Sequence, residues 1–343
     1  MSDAVFRLSD PKFQVFASLK ETVLAEFFVG VDVGGTTVKF ALAQDDGRIF
    51  HESVIETDSH EGPDDVINRI GNHVSKIVSD AGGNASAVGM GLPGLVDVYQ
   101  GVSRYLPNMT THWKDVPVAE KLSPRVGCPV RLLNDVRMAT YGELVYGHGR
   151  SSATMVFLAI GTGIGGGIVI DGKLRLGPLG AAGELGHQTI DPTGPMCGCG
   201  NHGCLETLAS GTALAAEGIR LMLMGLAPNL HDAVDGDPAL VTAEMMGSVA
   251  DRDEPVRDAI LKAASDVAIG ISNVITAIHP ELVVIGGGVA KLGELLLGRI
   301  REDVRARVGR LFPTDDIRIE ASQLGSRAGV MGAIALASRG LPS

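Results

Sequence analysis

Positive charge is scarce in this 343-residue sequence: Lys and Arg together number 29 against 40 Asp and Glu, a formal net charge of -11. No run of basic residues offsets the deficit, so the chain repels a phosphate backbone and nucleic acid is not an expected partner. The opening MSDAVFRLSDPKFQVFASLK is broken by charges every few positions, without the apolar core of a secretory signal, and a cytoplasmic location is expected. The uncharged stretch 151–170, SSATMVFLAIGTGIGGGIVI, has the length of a membrane span, but it contains five glycines. Each costs a helix roughly 1 kcal/mol relative to alanine, and two strands joined by a glycine turn fit better, so no membrane contact is expected.

The 45% hydrophobic and 20% charged residues are enough for two ordinary domains, each with its own core. Residues 1–26 read as a partly helical extension with Phe13, Phe16 and Leu19 on one face. Strands are expected at 27–33, 38–43 and 49–55, forming a meander, followed by a helix over about 63–81 and buried strands at 87–92 and 129–134. The second half repeats the pattern: strands at 154–160 and 166–170, a turn at Asp171-Gly172, a helix over 256–278 stopped before Pro280, a strand within 281–288 and a last helix over about 326–338. Two similar halves suggest an internal duplication, with a ligand cleft between domains. The expected division is an extension 1–26, a small domain of 27–136 plus 326–343, and a larger domain 137–325.

Three glycine-rich turns follow apolar strands: DVGGTT at 32–37, GTGIGGG at 161–167 and GGGV at 286–289. Backbone N–H groups without a Cβ approach an anion closely, and Thr36, Thr37 and Thr162 add hydroxyls, so a polyphosphate is the natural ligand. Asp32 supplies the charge to hold magnesium, directly or through water. Gly161-x-Gly163-x-x-Gly166 formally matches a dinucleotide fingerprint, yet it runs into a strand rather than a helix, and no GKS or GKT is present for a P-loop.

Cysteine is also sparse. Of four in the chain, three fall in CGCGNHGC, ten residues after His187. His187, Cys197, Cys199 and Cys204 offer one imidazole and three thiolates, a set that suits tetrahedral zinc. His202 competes as a donor, but four ligands already fill the shell and leave no position for a reactive water. The zinc is therefore expected to be structural, a clip for a glycine-rich loop that carries Glu184 and Glu206 into fixed positions to bind hydroxyls. Cys128 reads as a small packed residue.

The motifs GVDVGGTTVKFAL, GLPGLVD, LLNDVRMATYGE, GTGIGGG and GELGH followed by CGCGNHGCLE resemble the ROK family of sugar kinases and repressors, over roughly 27–340. The resemblance implies an actin-like, ribonuclease-H-like α/β fold of two domains around a cleft, ATP with magnesium, transfer of the γ-phosphate to a sugar hydroxyl, and a homodimer. It assigns Asp135 as the base; from the residues alone Asp135 is a carboxylate ending a strand, with capping of a helix over 136–147 as the alternative. It assigns Asn108, Asn134, Glu184, His187 and Glu206 to sugar hydroxyls, His187 serving zinc and sugar through its two nitrogens. Gly35, Thr36, Thr37, Gly161, Thr162 and Gly163 match phosphate-turn positions, and Gly287 and Gly288 fall near the adenosine-binding strand end.

NMTTHW at 108–113 departs from the family's asparagine-leucine-proline-glycine-tryptophan and bears on sugar preference. Within the family the context around the cysteines is most similar to bacterial glucokinases, with fructose, allose and N-acetylhexosamines as alternative substrates and polyphosphate as an alternative donor. A sugar-sensing repressor is the competitor outside enzymes. The residues before Phe27 are not basic and show no helix-turn-helix pattern, so a direct DNA-binding role is not expected.

Overall fold

The computed structural model describes residues 25–341 except Pro107, Asn108, Thr110, His112, Leu311, Phe312 and Asp315. Of the extension expected over 1–26, residues 1–24 lie outside the described residues, as does Asn108, whereas Ala25 and Glu26 open the first strand rather than belonging to an extension. The strands are β1 Ala25–Val33, β2 Thr37–Ala43, β3 Ile49–Glu56, β4 Gly83–Leu92, β5 Leu95–Asp97, β6 Val102–Leu106, β7 Trp113–Val116, β8 Val130–Asn134, β9 Met155–Ile160, β10 Ile164–Ile170, β11 Lys173–Leu174, β12 Leu282–Gly286 and β13 Arg318–Ala321. The helices are α1 Pro63–Asp80, α2 Val118–Val126, α3 Asp135–Tyr146, α4 Leu205–Ala209, α5 Gly211–Leu223, α6 Pro228–Ala233, α7 Ala243–Val249, α8 Glu254–Ile278, α9 Glu294–Val308 and α10 Ala328–Arg339.

Two five-stranded sheets have the same plan. One runs β3-β2-β1-β4-β8 and the other β11-β10-β9-β12-β13. In each, three antiparallel strands are followed by two parallel ones, as pairing of β1 with β2 and β4, and of β9 with β10 and β12, shows. This is the duplicated meander expected from the sequence, and with its mixed sheets and helices it is the actin-like fold. The runs VVI in β12 and VFL in β9 are buried throughout, as strands covered on both faces must be. The stretch 151–170 resolves into β9, a turn and β10. α8 is long and apolar enough to span a bilayer, yet Val256, Ile260, Ala264, Val267 and Ile271 are buried beneath α4, α5, α7 and α9. The small sheet β5-β6-β7, which sequence periodicity did not predict, covers the end of the first half.

Between the two large sheets lie α10, against β1, β2 and β4, and α3, against β9 and β10; the two helices pack on each other. Leu133, Met138, Phe157, Leu282, Ala333 and Leu336 form the core that joins them. The approach is close enough to exclude side chains. A methyl added at Gly332 would overlap the carbonyl of Met138, and one at Gly142 would overlap that of Ala328. On the opposite side of α3, Gly165 makes room for Val136 and Gly167 for Thr140. The glycines at 165–167 thus belong to a strand and to helix packing; the turn that precedes them is confined to 161–163.

Because backbone cannot yield as a flexible side chain does, Gly332→Ala is expected to lower unfolding free energy by about 1–3 kcal/mol. Gly298 in α9 has only the end of Glu294 near its Cβ position. Gly298→Ala is therefore expected to be neutral or to stabilise by up to about 1 kcal/mol. Urea unfolding midpoints check both; equal midpoints would contradict the packing argument.

Candidate active site

The carboxyl ends of parallel strands are where open α/β sheets place ligands. Here Asp32 near the end of β1 is in register with Gly91 of β4, and Leu92 of β4 with Asn134 of β8, so Asp32 and Asp135 share one sheet edge. The carboxylate of Asp32 abuts Gly329 in the first turn of α10, where an added methyl would overlap its oxygens at 2.6 Å. Burial holds the Asp32 carboxyl above the ordinary carboxylate range, and the positive charge of Lys39 partly opposes that.

Asp135 is half-buried at the first position of α3. The capping role open to it in the sequence belongs instead to Asn134, whose Oδ1 accepts from the backbone N–H groups of Val136 at 3.1 Å and Arg137 at 3.2 Å. The reason is register: β8 ends at Asn134 in extended conformation, which is the geometry of an N-cap. The same oxygen accepts from Arg137 Nη1 at 3.1 Å, and Asn134 Nδ2 donates to the Gly94 carbonyl at 2.9 Å. Asn134 is thus largely committed to protein partners. Burial pushes the Asp135 carboxyl up to about 6; the Val136 N–H and Arg137 oppose this, while the charges of Asp32 and Glu184 add to it. A carboxyl titrating there is poised to accept a proton near neutral pH.

Two of the three glycine turns lie next to these elements: the first directly follows β1, which carries Asp32, and the second directly precedes β10, where Val136 packs on Gly165. In the first, Gly34 N–H donates to Thr37 O at 2.9 Å, and Thr57 closes the base by donating from Oγ1 to Gly34 O at 2.8 Å and from its N–H to Thr36 O at 2.7 Å. Gly35 and Thr36 are left exposed. In the second, Gly161 N–H donates to Gly163 O at 2.9 Å, and the start of α5 backs the turn: Gly211 N–H donates to Gly161 O at 2.7 Å and Thr212 Oγ1 to Thr162 O at 2.8 Å. The N-terminus of α5 therefore adds its dipole beside Thr162. Gly211 and Thr212 were not legible as site residues, since nothing in ASGTAL marks a helix aimed at a turn 50 residues earlier. At the third turn a Cβ on Gly287 would collide with the Ile160 carbonyl, so this glycine answers to packing, whereas Gly288 is open. Gly288, Lys291, Ser248, Asp251 and Glu244 line a cleft of about 560 Å³.

The hydroxyl-binding candidates are tied into the same framework. Glu184 accepts from Arg137 Nη2 at 2.6 Å and is itself about half exposed. Glu206 accepts from the Ile164 N–H at 2.8 Å, directly beside the second turn, where Gly163 leaves room for its carboxylate. His187 closes a short 3-10 helix, Leu185–His187, with Nδ1 3.6 Å from Cys197 Sγ. This leaves Nε2 as the nitrogen a hydroxyl can use.

The four expected donors of the cysteine loop converge: the donor atoms of His187, Cys197, Cys199 and Cys204 all lie within 4.8 Å of one another. His202 turns elsewhere, its Nδ1 3.3 Å from Gly194 O. Burial, reinforced by hydrogen bonds with Cys199 and Cys197, pushes the Cys204 thiol up to about 12. Three sulfurs and an imidazole brought together in this way are the donor set of a soft divalent cation. Cys128 is buried in the first core, with its thiol also raised by burial.

With this geometry in hand, comparison with known proteins is informative. A glucokinase of Thermotoga maritima is 37% identical over 317 residues, which span 90% of this chain and 96% of that one. A xylose repressor of Caldicellulosiruptor bescii is 29% identical over 313 residues, spanning 90% of this chain and 77% of the repressor. The crystal structure of a ROK family glucokinase from Streptomyces griseus in complex with glucose and AMPPNP superposes with a TM-score of 0.79 at 31% identity, covering 92% of this chain and 100% of that one. The ROK family model matches residues 28–340, nearly the whole described chain, and the protein belongs to the ROK family.

Proposed function

We propose that this protein is an ATP-dependent hexose kinase that transfers the γ-phosphate to glucose, with Asp135 as the base. One observation carries the reading: a carboxyl raised to about 6 by burial and by the charges of Asp32 and Glu184 opens α3, whose next residue, Val136, packs on Gly165 just past the second glycine turn. A sensor that only binds sugar has no use for such a proton acceptor, whereas phosphoryl transfer does. The glucokinase of Thermotoga maritima and the glucose-bound structure from Streptomyces griseus support glucose as the acceptor and ATP as the donor.

In this reading Glu184, His187, Glu206 and Asn108 hold the sugar, with Asn134 supporting through its remaining amide hydrogen. Asp135 receives the proton of the attacking hydroxyl. The turns at Gly35, Thr36 and Thr37 and at Gly161, Thr162 and Gly163 hold the phosphates through backbone N–H groups and hydroxyls, and the cleft beside Gly287 and Gly288 takes the adenosine. Asp32 fits a magnesium ion, since a carboxylate held protonation-prone by burial near a second acid is relieved by a cation; magnesium supplies charge neutralisation on the phosphates when bound. Lobes 27–136 with 326–343 and 137–325 flank the cleft. Homodimeric assembly rests on the family resemblance.

In a coupled assay over a panel of sugars, glucose is expected to give the highest kcat/KM, and Asp135→Asn to lower kcat by a factor on the order of 10² to 10⁴ with a much smaller change in sugar KM. Asn134 supplies the helix cap, so this variant is expected to fold normally. Retention of most of kcat would remove Asp135 from the reaction, and a faster N-acetylhexosamine would replace glucose while leaving the kinase reading standing.

The cysteine loop is proposed to hold structural zinc, which when bound fixes the stretch between His187 and Glu206. Metal analysis of protein purified without chelator is expected to find about one zinc per chain, and its removal to lower thermal stability and sugar affinity together. Zinc-free protein with full activity would rule the clip out.

A further inference from the structure

Arg137 is a fully buried guanidinium, 2% exposed, in a site otherwise dominated by acids. It lies two residues after Asp135 in the first turn of α3 and spans to the segment before His187. Nε and Nη2 both donate to the Ala182 carbonyl, at 3.0 and 2.7 Å, Nη2 also to Glu184 Oε1 at 2.6 Å, and Nη1 to Asn134 Oδ1 at 3.1 Å. One planar group therefore binds the cap that orients Asp135, the backbone at Ala182, and a carboxylate aimed at sugar. The Glu184 carboxylate stays half exposed, so water can solvate it if the guanidinium is removed. What the arginine supplies is order between two elements that no other hydrogen bond among the described residues joins at this point.

We propose that Arg137 is a positioning residue that fixes Glu184 relative to Asp135 and so sets the affinity for the sugar. The inference rests on the kinase reading. A single ammonium cannot reproduce the fork, because lysine presents its donors from one point and cannot reach Asn134, Ala182 and Glu184 together. Arg137 also acts on Asp135 through its charge, against the like charges of Asp32 from β1 and Glu184.

The test compares the unchanged enzyme with Arg137→Met and Arg137→Lys in steady-state assays with glucose and ATP over pH 5 to 8. Misplacing a hydroxyl acceptor is expected to raise glucose KM on the order of 10- to 100-fold in both variants. ATP KM, whose turns Arg137 does not touch, is expected to change by less than about threefold. The acid limb of kcat/KM is expected to move to higher pH in Arg137→Met, where the charge is gone, and to stay in Arg137→Lys, where it remains. A merely structural arginine would change both KM values together with thermal stability and leave the limb in place. If Arg137→Met fails to fold, Arg137→Lys decides the matter through its KM values. Unchanged glucose KM in a folded variant overturns the positioning role while the kinase stands; an unmodified chain that phosphorylates no sugar overturns both.

Discussion

Helix α3 touches α10 backbone to backbone through Gly142 and Gly332 and touches β10 through Val136 and Thr140, leaving it no freedom to slide. Everything at its first turn inherits that fixation. Asn134 caps the helix, Asp135 occupies its first position, and Arg137 reaches across to Ala182 and Glu184. The buried carboxylate of Glu143 near the other end accepts from Ser322 Oγ at 2.5 Å and from the Leu324 N–H at 2.9 Å, tying α3 to the segment that leads into α10. A helix clamped on both sides and at both ends is a suitable mount for a proton acceptor, because catalysis by positioning tolerates little displacement.

The electrostatics of the edge follow from the same placement. Asp32 and Glu184 come near enough for their charges to act on Asp135, and Arg137 is the buried cation beside them. Burial disfavours ionisation of Asp32 and Asp135, and like charges add to it at Asp135, so these two acids hold protons more readily than exposed carboxylates. Glu206 links the cysteine loop to the second glycine turn through the Ile164 N–H, so order in one reaches the other.

Much of this was legible in the sequence for physical reasons. Buried parallel strands are continuous apolar runs, and β1, β4, β8, β9 and β12 were found within a few residues of their bounds, as were α1, α8 and α10. The four donors of the cysteine loop were legible because sparse residue types clustered at metal spacing. Glycines were harder: at 161–163 they make a turn, at 165 and 167 they admit α3, and at 287 they avoid a carbonyl, distinctions that depend on which neighbour lies opposite. Adjacent Asn134 and Asp135 are both good caps, and only the end of β8 decides between them. Arg137 reads as an ordinary helix residue because its partners lie 45 and 47 positions away. Of the helices between 205 and 249, α4, α6 and α7 span seven residues or fewer and are too short for periodicity to reveal.

That Asp135 is the base, raised by burial, is tested most directly by the pH dependence of kcat/KM for glucose. The sign follows from the protonation state: a base must be ionised to accept a proton, and a carboxyl raised to about 6 loses that capacity as pH falls through 6, well above the usual carboxylate range. The unchanged enzyme is expected to show an acid limb near pH 6, and the residual activity of Asp135→Asn to lack it. A profile that stays flat down to the ordinary carboxylate range, about pH 4, or an identical limb in both proteins, would contradict the assignment.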